Sequence, residues 1–172
     1  APAETPGAET FAYRVADPGG LSAEGRITLE IGAPPAAEGL SRAEAQRVAW
    51  LFEAALDRTG QAAGVNFWIA AREEGLGHEA LAALFLESPE FAERFGAPET
   101  LSDAALVDRL FLNVLDRPAA DDGIAFWTQR LGAPEVSRAD LLVAFADSPE
   151  NVLAAPEVAT LFADGEGGWA FG

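Results

Sequence analysis

The side chains that most often perform chemistry in proteins are nearly absent from this sequence. His78 is the single histidine among 172 residues, and there is no cysteine. The composition therefore excludes a thiolate nucleophile, a thiolate metal site and a paired-histidine metal site, and any serine–histidine dyad would have to use His78. Because His78 lies beside Gly75 and Gly77 at a predicted helix start, we expect it to be exposed and non-catalytic.

Carboxylates are abundant, with 28 acidic residues available for acid–base chemistry or cation binding. A pair suited to glycoside hydrolysis could be chosen at many places, so a solvated acidic surface is the better interpretation. Asp116, Asp121 and Asp122 surround a short loop of small residues, a composition that suits calcium. Asp121 or Asp122 could equally cap the next helix, so both interpretations stay open, and no other cofactor is predicted.

Aromatic residues recur at a fixed spacing. Phe67-Trp68 returns as Phe126-Trp127, 59 residues later. Repetition at the same structural position favours packing in the core of each copy over a ligand site.

Aromatic residues outside this repeated pair are the candidates for a partner interface. Trp50 aligns with Arg109 in the second copy, so the repeated unit does not require an aromatic ring at this position. The predicted interface residues are Phe11, Tyr13, Trp50, Trp169 and Phe171.

The charge balance restricts the classes of partner. The formal net charge is −17, and every basic residue is an arginine. Nucleic acid and anionic lipid bind through phosphates that lysine and arginine must neutralise, so neither is an expected partner. No apolar run approaches the roughly 18 residues that a membrane span needs.

An internal repeat organises the chain from about residue 40 onward. Three motifs return in the same order at an offset of 59 or 60 residues: Leu-Asp-Arg at 56–58 and 115–117, Gly64 and Gly123, and Ser-Pro-Glu at 88–90 and 148–150. Several dissimilar positions in fixed order predict two copies of one structural unit.

Each copy contains the signals of about four short helices. Ser41 with Glu44, and Ser137 with Asp140, have the spacing of a capping box. Each Ser-Pro-Glu motif supplies an N-cap, a proline at the first helical position and an acid in the first turn. The predicted fold class is mostly α, a tandem pair of short-helix bundles preceded by a β-hairpin.

The first segment has a different periodicity. Phe11, Tyr13 and Val15 alternate with other residues, and a second alternation ends at Ile31, which predicts two strands and a turn. A two-stranded ribbon is marginal alone in water, so we expect its apolar side to be covered by an upstream cadherin-like domain, by the helical unit or by the sheet edge of another molecule. The Pro34-Pro35 linker favours contact with another chain over packing back onto the helices. The predicted division is a hairpin at 1–32, a Pro/Gly linker at 33–39, helical repeats at 40–98 and 99–163, and a flexible tail at 164–172.

The motifs together resemble a known family. Leu-Asp-Arg, then Gly-Val-Asn-Phe-Trp or Gly-Ile-Ala-Phe-Trp, then an apolar helix leading to Ser-Pro-Glu, is similar to the bacterial domain-of-unknown-function family numbered 4214 and, more distantly, to phycobilisome linker domains. Members usually have glycine where this chain has Asp57 and Asp116, and aspartate tolerates the left-handed backbone that glycine would supply. The resemblance implies large secreted or surface proteins of Gram-negative bacteria, often exported by type I secretion, without known catalytic activity.

The N-terminal segment carries a second resemblance. Residues 9–31 are similar to the last two strands of cadherin-like and immunoglobulin-type repeats of bacterial adhesins. Such repeats often bind calcium between domains, so the resemblance makes Asp17 a further calcium candidate. Both resemblances imply an extracellular or cell-surface location.

Two functions remain in competition. The favoured one is a non-catalytic structural or interaction module of a secreted surface protein, in an adhesin, surface-layer or filament-type assembly, which binds other protein chains, copies of itself or a surface glycan. The alternative is an accessory, glycan-binding or secretion-related region of a secreted enzyme. A single histidine, no cysteine and no glycine-rich phosphate loop favour the first, and we expect no enzyme activity in this chain.

Overall fold

Two strands at the N-terminus form an antiparallel hairpin. The computed structural model describes residues 7–16, 22–31, 40–134, 136–165 and 167–172, the first two ranges by their backbone. Strand β1 (Gly7–Ala16) pairs with β2 (Ser22–Ile31), with Gly7 opposite Ile31 and Ala16 opposite Ser22. This hairpin belongs to a unit of its own at residues 1–39, and the two predicted strands are present.

Eight α-helices follow within the described residues from 40 onward, four in each repeat. The first repeat contains α1 (Arg42–Leu56), α2 (Ala62–Glu73), α3 (His78–Leu86) and α4 (Pro89–Phe95). The second contains α5 (Asp103–Leu115), α6 (Asp121–Leu131), α7 (Arg138–Ala146) and α8 (Pro149–Ala154). The prediction of a mostly α fold with two tandem helical copies is confirmed.

Serine side chains begin five of these helices. At α1, Ser41 Oγ accepts a hydrogen bond from the Glu44 amide at 3.3 Å, and the Glu44 carboxylate accepts one from the Ser41 amide at 3.1 Å. This reciprocal pairing satisfies amides that have no partner inside the helix. Ser137 and Asp140 form the same capping box at α7, and serine side chains also cap α4, α5 and α8, at Ser88, Ser102 and Ser148.

Aspartate ends the first helix of each repeat in the left-handed conformation. Asp57 and Asp116 both have φ of 50°, and both are the C-cap residue of their helix. These are the positions where the resembled family usually has glycine. A short polar side chain tolerates this left-handed region better than most others do, which is why aspartate can stand here.

The two repeats share one hydrophobic core. Helix α1 packs against α5, α7 and α8, and α3 packs against α7. The fully buried side chains include Leu51 and Leu81 from the first repeat and Leu110 and Leu142 from the second. Residues 40–172 therefore form a single compact unit.

One contact shows how the repeats are related. The Asn113 side-chain amide donates to the Ala54 carbonyl oxygen at 2.9 Å, and the two residues are 59 positions apart, which is the repeat offset. The first helices of the two repeats are therefore in direct contact at equivalent positions.

The C-terminal residues differ from the flexible tail predicted at 164–172. After a 3-10 helix (Pro156–Thr160), β3 (Phe162–Ala163) pairs with β4 (Trp169–Ala170). Asn66 on α2 donates to the Trp169 carbonyl oxygen at 2.9 Å and accepts from the Trp169 amide at 2.7 Å. These two hydrogen bonds attach the C-terminal strand to α2. They pair backbone groups that a flexible, glycine-rich tail would leave exposed to solvent.

Helix length bears on the relation to membranes. Among the helices of the described residues, none combines the length and the apolar character needed to cross a bilayer.

Candidate functional site

An aromatic cluster joins α1, α2 and α3 in the first repeat. The ring of Phe85 lies edge-on to Phe52, with 4.8 Å between centroids, and 5.4 Å from the ring of Trp68. Phe67 in turn lies edge-on to Trp68 at 4.9 Å. Edge-to-face contacts of this kind favour one ring orientation, so the contact with Trp68 restricts the orientation of the Phe67 ring.

The second repeat contains the same cluster. Phe145 contacts Phe111 at 5.3 Å and Trp127 at 5.6 Å, and Phe126 lies edge-on to Trp127 at 5.3 Å. An arginine stands over the phenylalanine of the first helix in both copies, at 5.1 Å for Arg58 over Phe52 and 5.4 Å for its counterpart. The repeated motifs therefore encode one aromatic arrangement twice.

The repeated glycine lies over the phenylalanine ring of the first helix in each copy. A Cβ atom on Gly123 would lie 3.2 Å from Cζ of Phe111, which is tighter than an ordinary contact, so the absence of a side chain lets α6 pack closely over that ring. A Cβ atom on Gly64 would lie 3.5 Å from Cζ of Phe52, which is an ordinary van der Waals contact.

Exposure divides each aromatic pair, and it corrects the prediction that both members pack in the core. Trp68 and Trp127 are half-buried, whereas Phe67 is 65% exposed and Phe126 is 50% exposed. The buried stripe of α2 runs through Val65 and Ile69, and Phe67 lies off that stripe. This helical spacing is the signal in the sequence that could have identified the exposed ring.

A cleft opens beside the aromatic cluster of the first repeat. Its volume is about 340 Å³, and its lining is Phe52, Leu56, Trp68, Phe85, Ser88, Pro89 and Glu90. Arg58 Nε lies 2.6 Å from Glu90 Oε1, and this hydrogen bond holds the pKa of the Glu90 carboxyl below its ordinary value. The cleft is therefore apolar with one ion pair at its edge.

Two further ion pairs connect distant elements. Arg47 on α1 reaches Asp147 after α7 at 2.5 Å, and Arg138 on α7 reaches Asp103 on α5 at 2.7 Å. The first of these pairs joins the two repeats. Both lie partly exposed to solvent, where such pairs contribute little to stability and mainly fix geometry.

His78 is buried, which corrects the expectation that it is exposed. It is 5% exposed, and its Nε2 atom has no hydrogen-bond partner among the residues that the structure describes. It begins α3, the helix that packs on α7, and the charged groups around it are Arg47, Asp147, Arg72 and Glu79. Burial and the nearby Arg47 lower the pKa of the imidazole.

This burial makes stability depend on pH in a defined interval. The unfolded chain binds a proton near the ordinary pKa of 6.5, whereas the folded protein resists it. The free energy of unfolding should therefore fall as the pH drops from 6.5 through the lowered pKa, and then level off. We expect urea unfolding between pH 5 and 7.5 to show this fall, and His78→Gln to abolish it. An equal fall in the variant would assign the effect to carboxylates.

Thr59 links the carboxylates of Glu53 on α1 and Glu157 on the 3-10 helix. Its hydroxyl lies 2.8 Å from Glu53 Oε1 and 2.5 Å from Glu157 Oε1. Burial raises the pKa of the Glu53 carboxyl, while the hydrogen bond with Thr59 lowers that of Glu157. The contact ties the 3-10 helix to α1.

The predicted calcium ligands of the second repeat lie at helix ends. Asp116 is the C-cap of α5, and Asp121 and Asp122 occupy the first turn of α6, whose N-cap is Ala120. Across the described ranges, no three side chains of histidine, aspartate or glutamate come together in a way that could hold a metal ion. Asp17, the remaining candidate, lies outside the described residues.

The predicted interface aromatics have different surroundings. Trp50 is half-buried at the contact between the repeats, where its carbonyl oxygen accepts a hydrogen bond from Asn151 at 3.2 Å. Trp169 and Phe171 pack against the core of their own chain, and Trp169 is held by Asn66, the residue before Phe67. For Phe11 and Tyr13 the structure gives the backbone pairing in β1.

A comparison with known proteins agrees with the repeat. A family model described as "Domain of unknown function (DUF4214)" matches residues 37–95 and again residues 82–154. No curated protein and no solved structure matches the chain.

Proposed function

Because the chain belongs to the DUF4214 family, with two copies of the domain in tandem, we propose that it is a non-catalytic interaction module that binds other protein chains. The two copies share one core and form one compact unit. Such a unit presents the surface residues of both copies together, which suits recognition of a partner.

The observation that carries this proposal is the exposure of an aromatic ring at the same position in both repeats. Phe67 is 65% exposed and Phe126 is 50% exposed, and each is held edge-on by a tryptophan. Burying such a ring on binding gains apolar contact, and a ring held in place loses little conformational freedom. Aromatic side chains are accordingly enriched at the centres of interfaces.

A catalytic role has little support from the side chains. The single histidine is buried. Among the described residues, no group of three histidine, aspartate or glutamate side chains is arranged to hold a metal ion. The large negative charge also opposes close association of two identical chains, so a different protein is favoured as the partner.

The proposed location is outside the cell, in a secreted bacterial surface protein. Support comes from the resemblance of residues 9–31 to cadherin-like adhesin strands and from the kind of protein in which the resembled family occurs. The more distant likeness to phycobilisome linker domains, which join other proteins, is consistent with an interaction role.

Binding of the full chain to a display library of random dodecapeptides and to a glycan array tests the function. We expect the library to yield binding peptides and the glycan array to yield none. The double variant Phe67→Ala/Phe126→Ala should lose the selected peptides while its thermal midpoint stays close to that of the original chain, because both rings are largely exposed.

Two results would contradict the proposal. Selection of no peptide from the library would argue against a protein partner. Glycan binding that the double variant loses would instead support the alternative, an accessory glycan-binding region of a secreted enzyme.

A further inference from the structure

The exposed phenylalanines of the two repeats differ in their contact with arginine. In the second repeat, the guanidinium carbon of Arg130 lies 4.5 Å from the centre of the Phe126 ring. The position equivalent to Arg130 in the first repeat is Ala71. In the described part of the chain, no arginine lies over Phe67, and Phe67 is the more exposed of the two rings.

The surroundings of the two rings differ in the same sense. On α2 the exposed residues three or four positions from Phe67 are Ala63 and Ala70, which with Phe67 define the Phe67 face, and the exposed Glu74 follows on the same side. The residues equivalent to these two alanines on α6 are polar and exposed: Asp122 and Gln129. An apolar helix face on a strongly acidic chain is typical of an interaction site.

The cleft of the first repeat adjoins the Phe67 face. Trp68 connects the two, because its ring centroid lies 4.9 Å from that of Phe67 and the residue also lines the cleft of about 340 Å³. A bound segment that lies across Phe67 can therefore place a neighbouring apolar side chain against Phe52 and Phe85. Such an anchor in a preformed cleft is the usual centre of a protein interface.

The net charge of the chain indicates which kind of partner would cover the Phe67 ring. The chain has 28 acidic residues against 11 basic ones. All nine arginines between residues 40 and 172 already contact an acidic side chain, a carbonyl oxygen or a ring of their own chain. A second copy of the helical unit thus offers no free arginine, whereas a basic partner is attracted by the overall field.

We propose that the Phe67 face and the adjoining cleft bind a segment of a different protein that carries an arginine next to a large apolar residue. The arginine stacks on Phe67 as Arg130 stacks on Phe126, and the apolar side chain enters the cleft. A planar guanidinium suits this position better than an ammonium, because it stacks on an aromatic ring and is more weakly hydrated. This inference rests on the proposed function and names the chemistry of the partner.

The peptides selected by the full chain provide the test. We expect them to be enriched in arginine beside an aromatic or large aliphatic residue. In fluorescence anisotropy, Phe67→Ala should weaken the selected peptide at least about tenfold, and replacing its arginine by neutral citrulline should weaken it about threefold or more. The control variant Leu153→Ala, which removes an exposed apolar side chain on α8, should leave the affinity unchanged.

A second variant transfers the arrangement of the second repeat to the first. Ala71→Arg supplies an internal arginine for the Phe67 ring, so it should weaken the affinity for the selected peptide about tenfold while the thermal midpoint stays unchanged. Unchanged binding in both Ala71→Arg and Phe67→Ala would overturn this inference and leave the proposed function intact, since peptides would still bind elsewhere. An affinity that citrulline does not alter would overturn the role of the cation, and selection of no peptide would contradict the proposed function itself.

Discussion

Replacing Phe85 by alanine is expected to lower the free energy of unfolding of the helical unit by about 3–5 kcal/mol. Phe85 is 2% exposed, and its ring contacts both Phe52 and Trp68. Removing it loses the transfer energy of a buried ring and leaves a cavity between three helices that a rigid core fills only partly. The cost is large because Phe85 stands at the centre of the aromatic cluster.

Urea unfolding followed by tryptophan fluorescence measures this loss, and Phe67→Ala is the matched control. Both changes remove the same atoms from the same cluster, but Phe67 is 65% exposed, so its removal should cost less than about 1 kcal/mol. Equal losses for the two variants would contradict the assignment of one ring to the core and the other to the surface. A change in the slope of unfolding with urea would indicate that the folded or unfolded state itself had changed.

The first repeat on its own, residues 40–98, is expected to lack a cooperative unfolding transition. Its longest helix, α1, packs against α5, α7, α8 and the 3-10 helix, all of which belong to the second half of the unit. Without them, buried residues such as Val48 and Leu51 would face water. A chain of about 60 residues buries too little surface to tolerate that loss.

Circular dichroism during heating distinguishes the outcomes. Residues 40–172 serve as the control and should melt in one sharp transition, while residues 40–98 should show a shallow, non-cooperative change. Adding the complementary piece, residues 99–172, should restore a cooperative transition if the shared core is the cause. A transition in the isolated repeat as high as that of the whole unit would show that each repeat has a sufficient core of its own.

Much of the helical architecture could be predicted because its signals are local. The capping serines, the prolines at first helical positions and the left-handed Asp57 and Asp116 depend on residues within about four positions along the chain. The repeat offset identified two copies before any geometry was known, because the same local signals recur in order.

The candidate site could be predicted only in part. The repeated Phe-Trp pairs were found from their spacing, yet the exposure of Phe67 and Phe126 was not, since repetition alone does not distinguish a conserved packing role from a surface one. The stripe through Val65 and Ile69 contained that information. The difference between Ala71 and Arg130 was visible in the alignment of the repeats, but its meaning required the position of the guanidinium over the ring.

The sequence by itself determined which secondary-structure elements form: two tandem helical repeats, the starts and ends of their helices, and the N-terminal strands. It also determined the acidic charge. The tertiary structure decided which side chains those elements cover. His78 is buried, the C-terminal Trp169 is held by Asn66, and Trp50 lies between the repeats. The physical reason is that capping and periodicity act through neighbouring residues, whereas burial depends on elements that are distant in the chain and adjacent only after folding.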